Sequence, residues 1–440
     1  MRSFKKVLIF IAVVLAYEAV LDFLLEPVVY EHFLEKELTR DAKQGLEPDM
    51  VFIGDSGVEM TFVPSVIENE LEDVDCVLNA GTGSQMIWGS YYYLKDLLRE
   101  YDMKYAVVGI DYSVFMKQEE RVPKRDLVVL SRIKSPFIKA EYAGKFLQGE
   151  EYLYLIKSFA NKGNLGSIRE NVRAKLSHNY RLGIDDREDA CYMERGYVCT
   201  TARGELRTGI YGPFTWETGN ISEEAVLYLD KIVELCREEQ VTLYLAVTPI
   251  AFSSLYDTAT YQEMLDYFQD YAVQKGVFFC DLNLMKDRVR VLPDSMMSDG
   301  THVGGEGAGL CSMFYGKILR EKGEGKDVSE YFYASAEEMR QDIRGVEACS
   351  FGTVPFGEEG DRMIQAKSIH GEGVVPEYEY WVCEESGQWT RLQEYSESTQ
   401  CLLPAGYLNG KVIIQVNCRT KGENVNWEQR TQAVREPGME

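Results

Sequence analysis

The chain has 440 residues and a formal net charge of −24, and 45% of its residues are hydrophobic. This length accommodates two domains and this composition buries a sizeable core, which excludes an intrinsically disordered chain. The acidic charge excludes general nucleic-acid binding, because a basic surface supplies most of that affinity.

The amino terminus has the pattern of a membrane anchor. Residues 1–6 are basic and residues 7–25 are apolar apart from Glu18 and Asp22. A helix over this apolar stretch reaches about 28 Å at 1.5 Å per residue, close to the hydrocarbon thickness of a bilayer. We predict an uncleaved signal anchor over residues 1–30, with its basic end in the cytoplasm and the remaining chain outside. The alternatives are a cleaved signal peptide, although no small-x-small site follows the run, and an amphipathic or buried helix.

Strand and helix signals alternate after a charged connector at residues 31–46. The apolar runs predict strands over residues 50–53, 76–78, 105–110, 241–247 and 277–281. Helical periodicity and capping residues predict helices starting at Pro64 and covering residues 85–101, 222–240, 261–274 and 305–321. This order predicts an α/β domain over residues 47–322, with a parallel sheet covered by helices on both faces.

An insertion at about residues 117–220 interrupts the α/β pattern and differs from the rest of the chain in charge. Residues 117–181 hold 14 Lys and Arg against 7 Asp and Glu, an excess of +7 in an acidic protein. This excess predicts contact with lipid headgroups, an anionic wall polymer or the acidic face of a partner, or else a solvated helical face. The aromatic loop at residues 209–216 suits stacking on a sugar, or plugs the core.

The last part of the chain has the pattern of a small all-β domain. Alternating Tyr378, Tyr380 and Val382 and further short apolar runs predict a β-sandwich over residues 345–420, whose aromatic spacing is similar to that of Ig-like triple-tyrosine domains. Such a module binds a glycan or protein partner, or packs on the larger domain. Residues 421–440 are predicted to be disordered.

The ten cysteines fit an exported protein, because export permits disulfides. Cys191 and Cys199 flank a short segment and are the best candidates for a local disulfide. Four cysteines in apolar contexts are expected to be free buried thiols: Cys76, Cys236, Cys280 and Cys311. With no Cys-x-x-Cys and four histidines, the sequence predicts neither a metal nor an organic cofactor.

Two distant motifs carry the residue types of acyl-transfer chemistry. Gly54-Asp55-Ser56 follows the first apolar run, and Asp299-Gly300-Thr301-His302 follows the fifth. A serine hydroxyl needs an adjacent base, and that base needs a third group to fix its tautomer. Among the four histidines only His302 has a carboxylate three residues before it in a Gly-containing loop, so Ser56, His302 and Asp299 are the candidate triad. As single motifs, both are also ordinary turn sequences.

These two motifs resemble the first and last blocks of the SGNH/GDSL hydrolase superfamily. The resemblance implies a flavodoxin-like three-layer sandwich, with Ser56 as nucleophile, His302 as base and Asp299 as its orienting carboxylate. Asn79-Ala80-Gly81 is similar to the second block, and so the N–H groups of Ser56 and Gly81 are the expected oxyanion donors.

The third block departs from the family pattern. Where the family carries Gly-x-Asn-Asp, this chain has Gly109-Ile110-Asp111-Tyr112, and an ionised aspartate cannot donate to an oxyanion. The loss of such a donor costs about 3 to 4 kcal/mol in other enzymes. The other residues expected to border the pocket are Asp55, Asn79, Asp111, Thr248 and Trp216. Asp55 is expected to bond to the neighbouring backbone rather than to catalyse. Asp294 is a competitor for the role of Asp299.

The resemblance implies a membrane-tethered, extracytoplasmic serine esterase or O-acyltransferase acting on an acylated surface polysaccharide or polymer. Single-span SGNH proteins with these motifs serve in polysaccharide acetylation and teichoic-acid D-alanylation beside a multispan membrane acyltransferase, which is the expected partner. The alternative is an inactive SGNH-like scaffold that binds surface polysaccharide or that membrane partner.

Overall fold

The computed structural model describes residues 2–117, 122–187, 190–200, 216–255, 260–286, 288–357 and 360–435. The strands are β1 (Met50–Ile53), β2 (Val77–Asn79), β3 (Tyr105–Gly109), β4 (Ala190–Glu194), β5 (Tyr197–Thr200), β6 (Thr242–Val247), β7 (Phe278–Asp281), β8 (Val346–Phe356), β9 (Asp361–His370), β10 (Pro376–Glu384), β11 (Trp389–Ser396), β12 (Gln400–Leu403), β13 (Val412–Thr420) and β14 (Gln429–Arg435). The helices are α1 (Arg2–Leu25), α2 (Tyr30–Ala42), α3 (Ser56–Thr61), α4 (Pro64–Glu70), α5 (Ile87–Glu100), α6 (Pro123–Arg132), α7 (Pro136–Phe146), α8 (Lys157–Ala160), α9 (Ile168–Lys175), α10 (His178–Leu182), α11 (Glu223–Glu238), α12 (Phe252–Leu255), α13 (Tyr261–Lys275), α14 (Arg288–Val291), α15 (Gly305–Gly323) and α16 (Ala336–Gln341).

A five-stranded parallel sheet forms the centre of the larger domain. Its strand order is β2-β1-β3-β6-β7. Because β4 and β5 form a separate hairpin, the strands of this sheet have the order 2-1-3-4-5 of flavodoxin-like folds when they alone are counted. Alternate side chains of β1 enter different cores, because successive residues of a strand point to opposite faces. Val51 and Ile53 pack with α5, α11 and α13, whereas Met50 and Phe52 pack with α4 and α15. The predicted α/β fold, with a parallel sheet between two helical layers, is confirmed.

The connector predicted at residues 31–46 is mostly helical. It forms α2, whose Phe33 and Leu34 are buried in the core shared with α5 and α11. Arg195 of the insertion lies 3.3 Å from the Asp41 carboxylate on the same helix. A charged sequence therefore forms part of the domain surface, because two apolar side chains and an ion pair hold it there.

The insertion folds as helices α6 to α10 followed by the hairpin β4–β5. At the tip of this hairpin the Arg195 carbonyl accepts a hydrogen bond from the Asn79 N–H at 2.9 Å, next to the end of β2. Cys191 and Cys199 lie directly opposite each other in the hairpin, but both are free thiols. The four cysteines expected to be free buried thiols are so in the structure. Residues 209–215 of the aromatic loop lie outside the described residues.

At the amino terminus, Phe4–Leu25 of α1 is 22 residues long with a mean hydropathy of 2.4. Its length and composition are sufficient for one membrane crossing. Most of its apolar side chains are exposed, for example Phe10 and Leu15, whereas its last turns, from Glu18 to Leu25, are bonded to the insertion.

The carboxyl-terminal domain consists of two antiparallel sheets, β11-β10-β13-β14 and β12-β9-β8. Tyr378, Tyr380 and Val382 all point into one core, which they share with Phe351 and Ile364 of the second sheet. The predicted all-β domain is therefore confirmed. The prediction of disorder after residue 420 is wrong for β14, which pairs with β13 along its whole length, so that backbone hydrogen bonds order a polar segment.

Candidate active site

Ser56 lies at the carboxyl end of β1, at the first position of α3. Gly54 and Asp55 make the turn between strand and helix, and the Asp55 side chain caps the helix by accepting the Gly57 N–H at 3.0 Å. This Asp-Ser pair leaves the Ser56 side chain at the sheet edge, where α/β proteins bind ligands.

The structure brings Ser56, His302 and Asp299 together across 246 residues of chain. His302 Nε2 lies 2.8 Å from Ser56 Oγ, and His302 Nδ1 lies 2.7 Å from Asp299 Oδ2. The other carboxylate oxygen, Oδ1, accepts the N–H groups of Thr301 at 2.7 Å and His302 at 2.9 Å. Because the Asp299 carboxylate accepts a hydrogen bond from Nδ1–H, the proton of the neutral imidazole stays on Nδ1 and Nε2 is left to accept the serine proton.

The charge on Asp299 is stabilised by its surroundings. Burial alone would raise the pKa of this carboxyl, but the hydrogen bond and charge of His302 and the two backbone N–H groups outweigh burial and lower the pKa to about 2. Asp299 therefore stays ionised at neutral and mildly acidic pH. Asp294 does not take its place, because its Oδ1 accepts the Phe252 N–H at 2.6 Å.

Asn79 is the last residue of β2, and its side chain links Gly81 of the following loop to α3, the helix that carries Ser56. The Gly81 N–H donates to Asn79 Oδ1 at 3.0 Å, and Asn79 Nδ2 donates to the carbonyls of Val58 and Phe62 at 2.9 and 2.8 Å. A Cβ on Gly81 would lie 2.5 Å from the Glu59 nitrogen, so only glycine fits between this loop and α3. Neither residue is among those that line the pocket, and the Gly81 N–H, which is predicted to be an oxyanion donor, donates to Asn79 in the structure.

A pocket of about 340 Å³ opens beside the triad. Four of the residues expected in its wall line it together with Ser56 and His302: Asp55, Asp111, Thr248 and Trp216. Trp216 is only 5% exposed and packs edge-to-face on Tyr112, with ring centroids 5.1 Å apart. The indole is thus a fixed wall of the pocket.

Asp55 and Asp111 form a carboxyl pair in this wall. Burial raises the pKa of Asp55 well above its usual range, and the charge and hydrogen bond of Asp111 raise it further. Asp111 also accepts the Ser113 N–H at 2.8 Å. Asp111 is therefore a hydrogen-bond acceptor with a protonatable neighbour.

Ser84 and Arg125 are among the pocket residues that the sequence analysis missed. Ser84 has a left-handed backbone, with φ of 60°, and lies on the rim in the loop after β2. Its place after a strand at the ligand-binding edge, in a glycine-rich loop, was an available signal. Arg125 reaches the pocket from α6 of the insertion. No local pattern marks it, because its position depends on how the insertion packs.

A buried charged cluster lies beneath the triad. Arg132 Nη2 lies 3.0 Å from Glu31 Oε1 and 3.8 Å from Glu59 Oε1, and Arg132 Nη1 donates to the Gly81 carbonyl at 2.9 Å. Burial raises the pKa of Glu59 to about 7 despite the opposing charge of Arg132. Because Glu59 lies one helical turn after Ser56, this cluster joins the insertion to the helix that carries the serine.

Among the described residues, no group of three or more His, Cys, Asp or Glu side chains is arranged to hold a metal ion.

The chain matches no protein-family model and no curated protein. Among solved structures, an engineered protein determined at 1.98 Å by a structural genomics consortium aligns with 95% of this chain and 99% of its own, at 11% identity and a TM-score of 0.18. A TM-score this low gives no evidence of a shared fold.

Proposed function

We propose that this protein is an SGNH-type serine esterase or O-acyltransferase that works through an acyl-Ser56 intermediate. The observation that carries the proposal is the continuous hydrogen-bonded series Ser56–His302–Asp299, with both links below 3 Å. This series opens into a pocket on the ligand-binding edge of a flavodoxin-like sheet. A catalytic triad is recognised by the geometry of its side chains and not by sequence position, so this geometry supports the resemblance of the two motifs to the superfamily.

The residues suggest a two-step reaction. Ser56 Oγ attacks the acyl carbonyl while His302 Nε2 takes the hydroxyl proton, and the Ser56 N–H at the start of α3 stabilises the oxyanion. The tetrahedral intermediate then expels the alcohol, which receives the proton from His302. In the second step water or a sugar hydroxyl gives its proton to His302 and attacks the acyl-serine carbonyl; the bond between the acyl group and Ser56 Oγ then breaks, and His302 returns the proton to Ser56. Water makes the protein an esterase, and a sugar hydroxyl makes it an O-acyltransferase.

The proposed setting is the outer face of a cell membrane. Crossing by α1, with basic residues on the cytoplasmic side, would expose the pocket to acylated surface polysaccharide or a similar polymer. A multispan membrane acyltransferase is the proposed partner for delivery of the acyl group. The support for these points is the apolar character of α1 and the basic flank before it.

The proposal is tested by trapping the acyl-enzyme. Full-length protein in lipid nanodiscs is mixed with an activated acetyl ester, the alcohol burst is followed, and the acetylated peptide is located by mass spectrometry. We expect one burst equivalent and acetyl on Ser56, neither of which occurs in Ser56→Ala. Ser113→Ala is the matched control, because Ser113 lines the same pocket, whereas Ser56 is the serine whose Oγ lies 2.8 Å from His302 Nε2.

A second candidate function is an inactive scaffold. The observations that favour it are the engagement of the Gly81 N–H by Asn79 and the acidic residue at position 111, which leave the oxyanion with fewer donors than the family pattern provides. If wild-type protein gives neither a burst nor an acetylated peptide, and Ser56→Ala sustains the cellular function, the protein is a scaffold and not an enzyme.

A further inference from the structure

The last turns of α1 are held by the insertion. Ser158 donates to the Glu18 carboxylate through both its N–H at 3.0 Å and its hydroxyl at 2.6 Å. The Lys157 ammonium lies 3.3 Å from Glu26 and 3.9 Å from Asp22. Glu18 and Asp22, which interrupt the apolar run of α1, are therefore partners of residues 157–158 of the insertion. The ion pairs of Lys157 neutralise part of the positive charge of the insertion.

The carboxyl end of α1 is bonded by the same region. The terminal carbonyls of a helix have no partners within it and need donors from elsewhere. Here Asn164 Nδ2 donates to the Leu25 carbonyl at 3.2 Å, Asn171 Nδ2 donates to the same oxygen at 3.0 Å, and Lys175 Nζ donates to the Phe23 carbonyl at 2.9 Å. The insertion and the end of α1 are thus fixed to each other by both side chains and backbone.

This attachment sets the depth of the insertion relative to a membrane. From Phe4 to Glu18, α1 rises about 21 Å, which is less than the roughly 30 Å hydrocarbon thickness of a bilayer. A complete crossing therefore requires the turns between Glu18 and Leu25, which are the turns bound by the insertion. Ser158, which is bonded to Glu18, must therefore lie at the depth of the outer leaflet.

The segment at this depth exposes apolar side chains. Five consecutive residues are each between 37% and 47% exposed: Tyr152, Leu153, Tyr154, Leu155 and Ile156. Leu165, a few residues later, is 64% exposed. Lys162 lies over the Phe159 ring, 3.6 Å from its centroid. Contiguous exposed apolar residues are unusual on a water-soluble surface, whereas tyrosine and lysine beside aliphatic residues are typical of the membrane interface.

We propose that residues 149–165, which we name the collar, insert into the outer leaflet of the bilayer beside α1. The inference rests on the proposal that α1 crosses the membrane. Its apolar side chains contact acyl chains, and the basic surface of the insertion faces anionic headgroups. The collar then holds the α/β domain at a fixed height, and the pocket reaches only substrates close to the membrane surface.

Photocrosslinking of the full-length protein tests the collar. Leu153 and Leu155 are replaced in turn by p-benzoylphenylalanine, and the protein is placed in nanodiscs of phosphatidylglycerol and phosphatidylethanolamine. Val20 of α1, 56% exposed, is the positive control, and Val273 of α13, 81% exposed, is the matched negative control. We expect lipid adducts at both collar positions in at least tenfold greater yield than at position 273. The collar positions are exposed, so replacement leaves the core packing intact.

Each outcome bears on the proposal. Lipid adducts at position 20 but background yield at positions 153 and 155 would retain the anchor and overturn the collar. Crosslinks from the collar to a second protein chain instead of lipid would assign this surface to a protein interface and also overturn it. Background yield at position 20 as well would remove the anchoring on which the collar rests, while leaving the triad unaffected.

Discussion

Replacing Asp299 by asparagine separates a catalytic role from a structural one. The lowering of the Asp299 pKa from 3.8 to about 2 corresponds to about 2.4 kcal/mol at 1.36 kcal/mol per pKa unit. The side chain is 37% exposed, and solvent screening reduces this contribution to about 1 kcal/mol of unfolding free energy. The expected effect on kcat is much larger, about 10⁴-fold, because an asparagine amide selects the wrong tautomer of His302.

The pH dependence of stability provides an internal check. A carboxyl whose pKa is lowered by folding contributes stability that is present above its unfolded pKa and is lost as the pH falls through its folded pKa. The difference in unfolding free energy between wild type and Asp299→Asn is therefore expected to have its largest value at pH 7 and to shrink as the pH falls from about 4 toward 2.

The assay measures kcat on an activated ester and urea unfolding for wild type, Asp299→Asn and Asp294→Asn. Asp294 is the matched control, because it is an aspartate of the same region whose carboxylate bonds the Phe252 N–H instead of the imidazole. Its variant is expected to keep kcat within a few fold of wild type. A loss below tenfold for Asp299→Asn, or an equal loss for both variants, would refute the assigned orienting role.

Three further changes test the surroundings of the triad by urea unfolding. Asp111→Asn removes the charge and hydrogen bond that, after burial, raise the pKa of Asp55, so its stability gain over wild type should grow as the pH rises above 3.8, the ordinary pKa of an aspartate; a stability difference that does not change with pH contradicts this reasoning. Gly57→Ala places a Cβ 2.5 Å from Thr248 Oγ1 and should cost about 1 to 3 kcal/mol, part of which Thr248→Ala should restore; an unchanged loss in the double variant would exclude this contact as the cause. Arg132→Ala removes the partner of buried Glu59 and of partly exposed Glu31 and should cost about 3 kcal/mol at pH 7, whereas a loss below 1 kcal/mol would mean that the cluster is solvated.

The features that were predictable from the sequence are those encoded locally. The strand signals end in turns at the same sheet edge, and the Asp299-x-x-His302 spacing lies within one loop, so each was visible in a few residues. Membrane-helix character is also local, because it depends on length and composition. The alternation of Tyr378 and Tyr380 indicated the inward face of β10 for the same reason.

The features that were missed depend on tertiary contacts. The engagement of the Gly81 N–H requires the Asn79 amide, whose orientation is fixed by the end of α3. Arg125 enters the pocket only once the insertion has packed on the α/β domain. Strand β14 is polar and is ordered by backbone pairing with β13, which hydrophobic patterning does not register.

The most direct test of the account is covalent labelling of Ser56. Full-length protein in nanodiscs is treated with a fluorophosphonate probe, and the labelled peptide is identified in wild type, Ser56→Ala and His302→Ala. We expect a single adduct on Ser56 in wild type and none in either variant, because the serine is nucleophilic only with His302 Nε2 at 2.8 Å. No adduct in the wild type, or equal labelling of His302→Ala, would contradict an activated serine at this site.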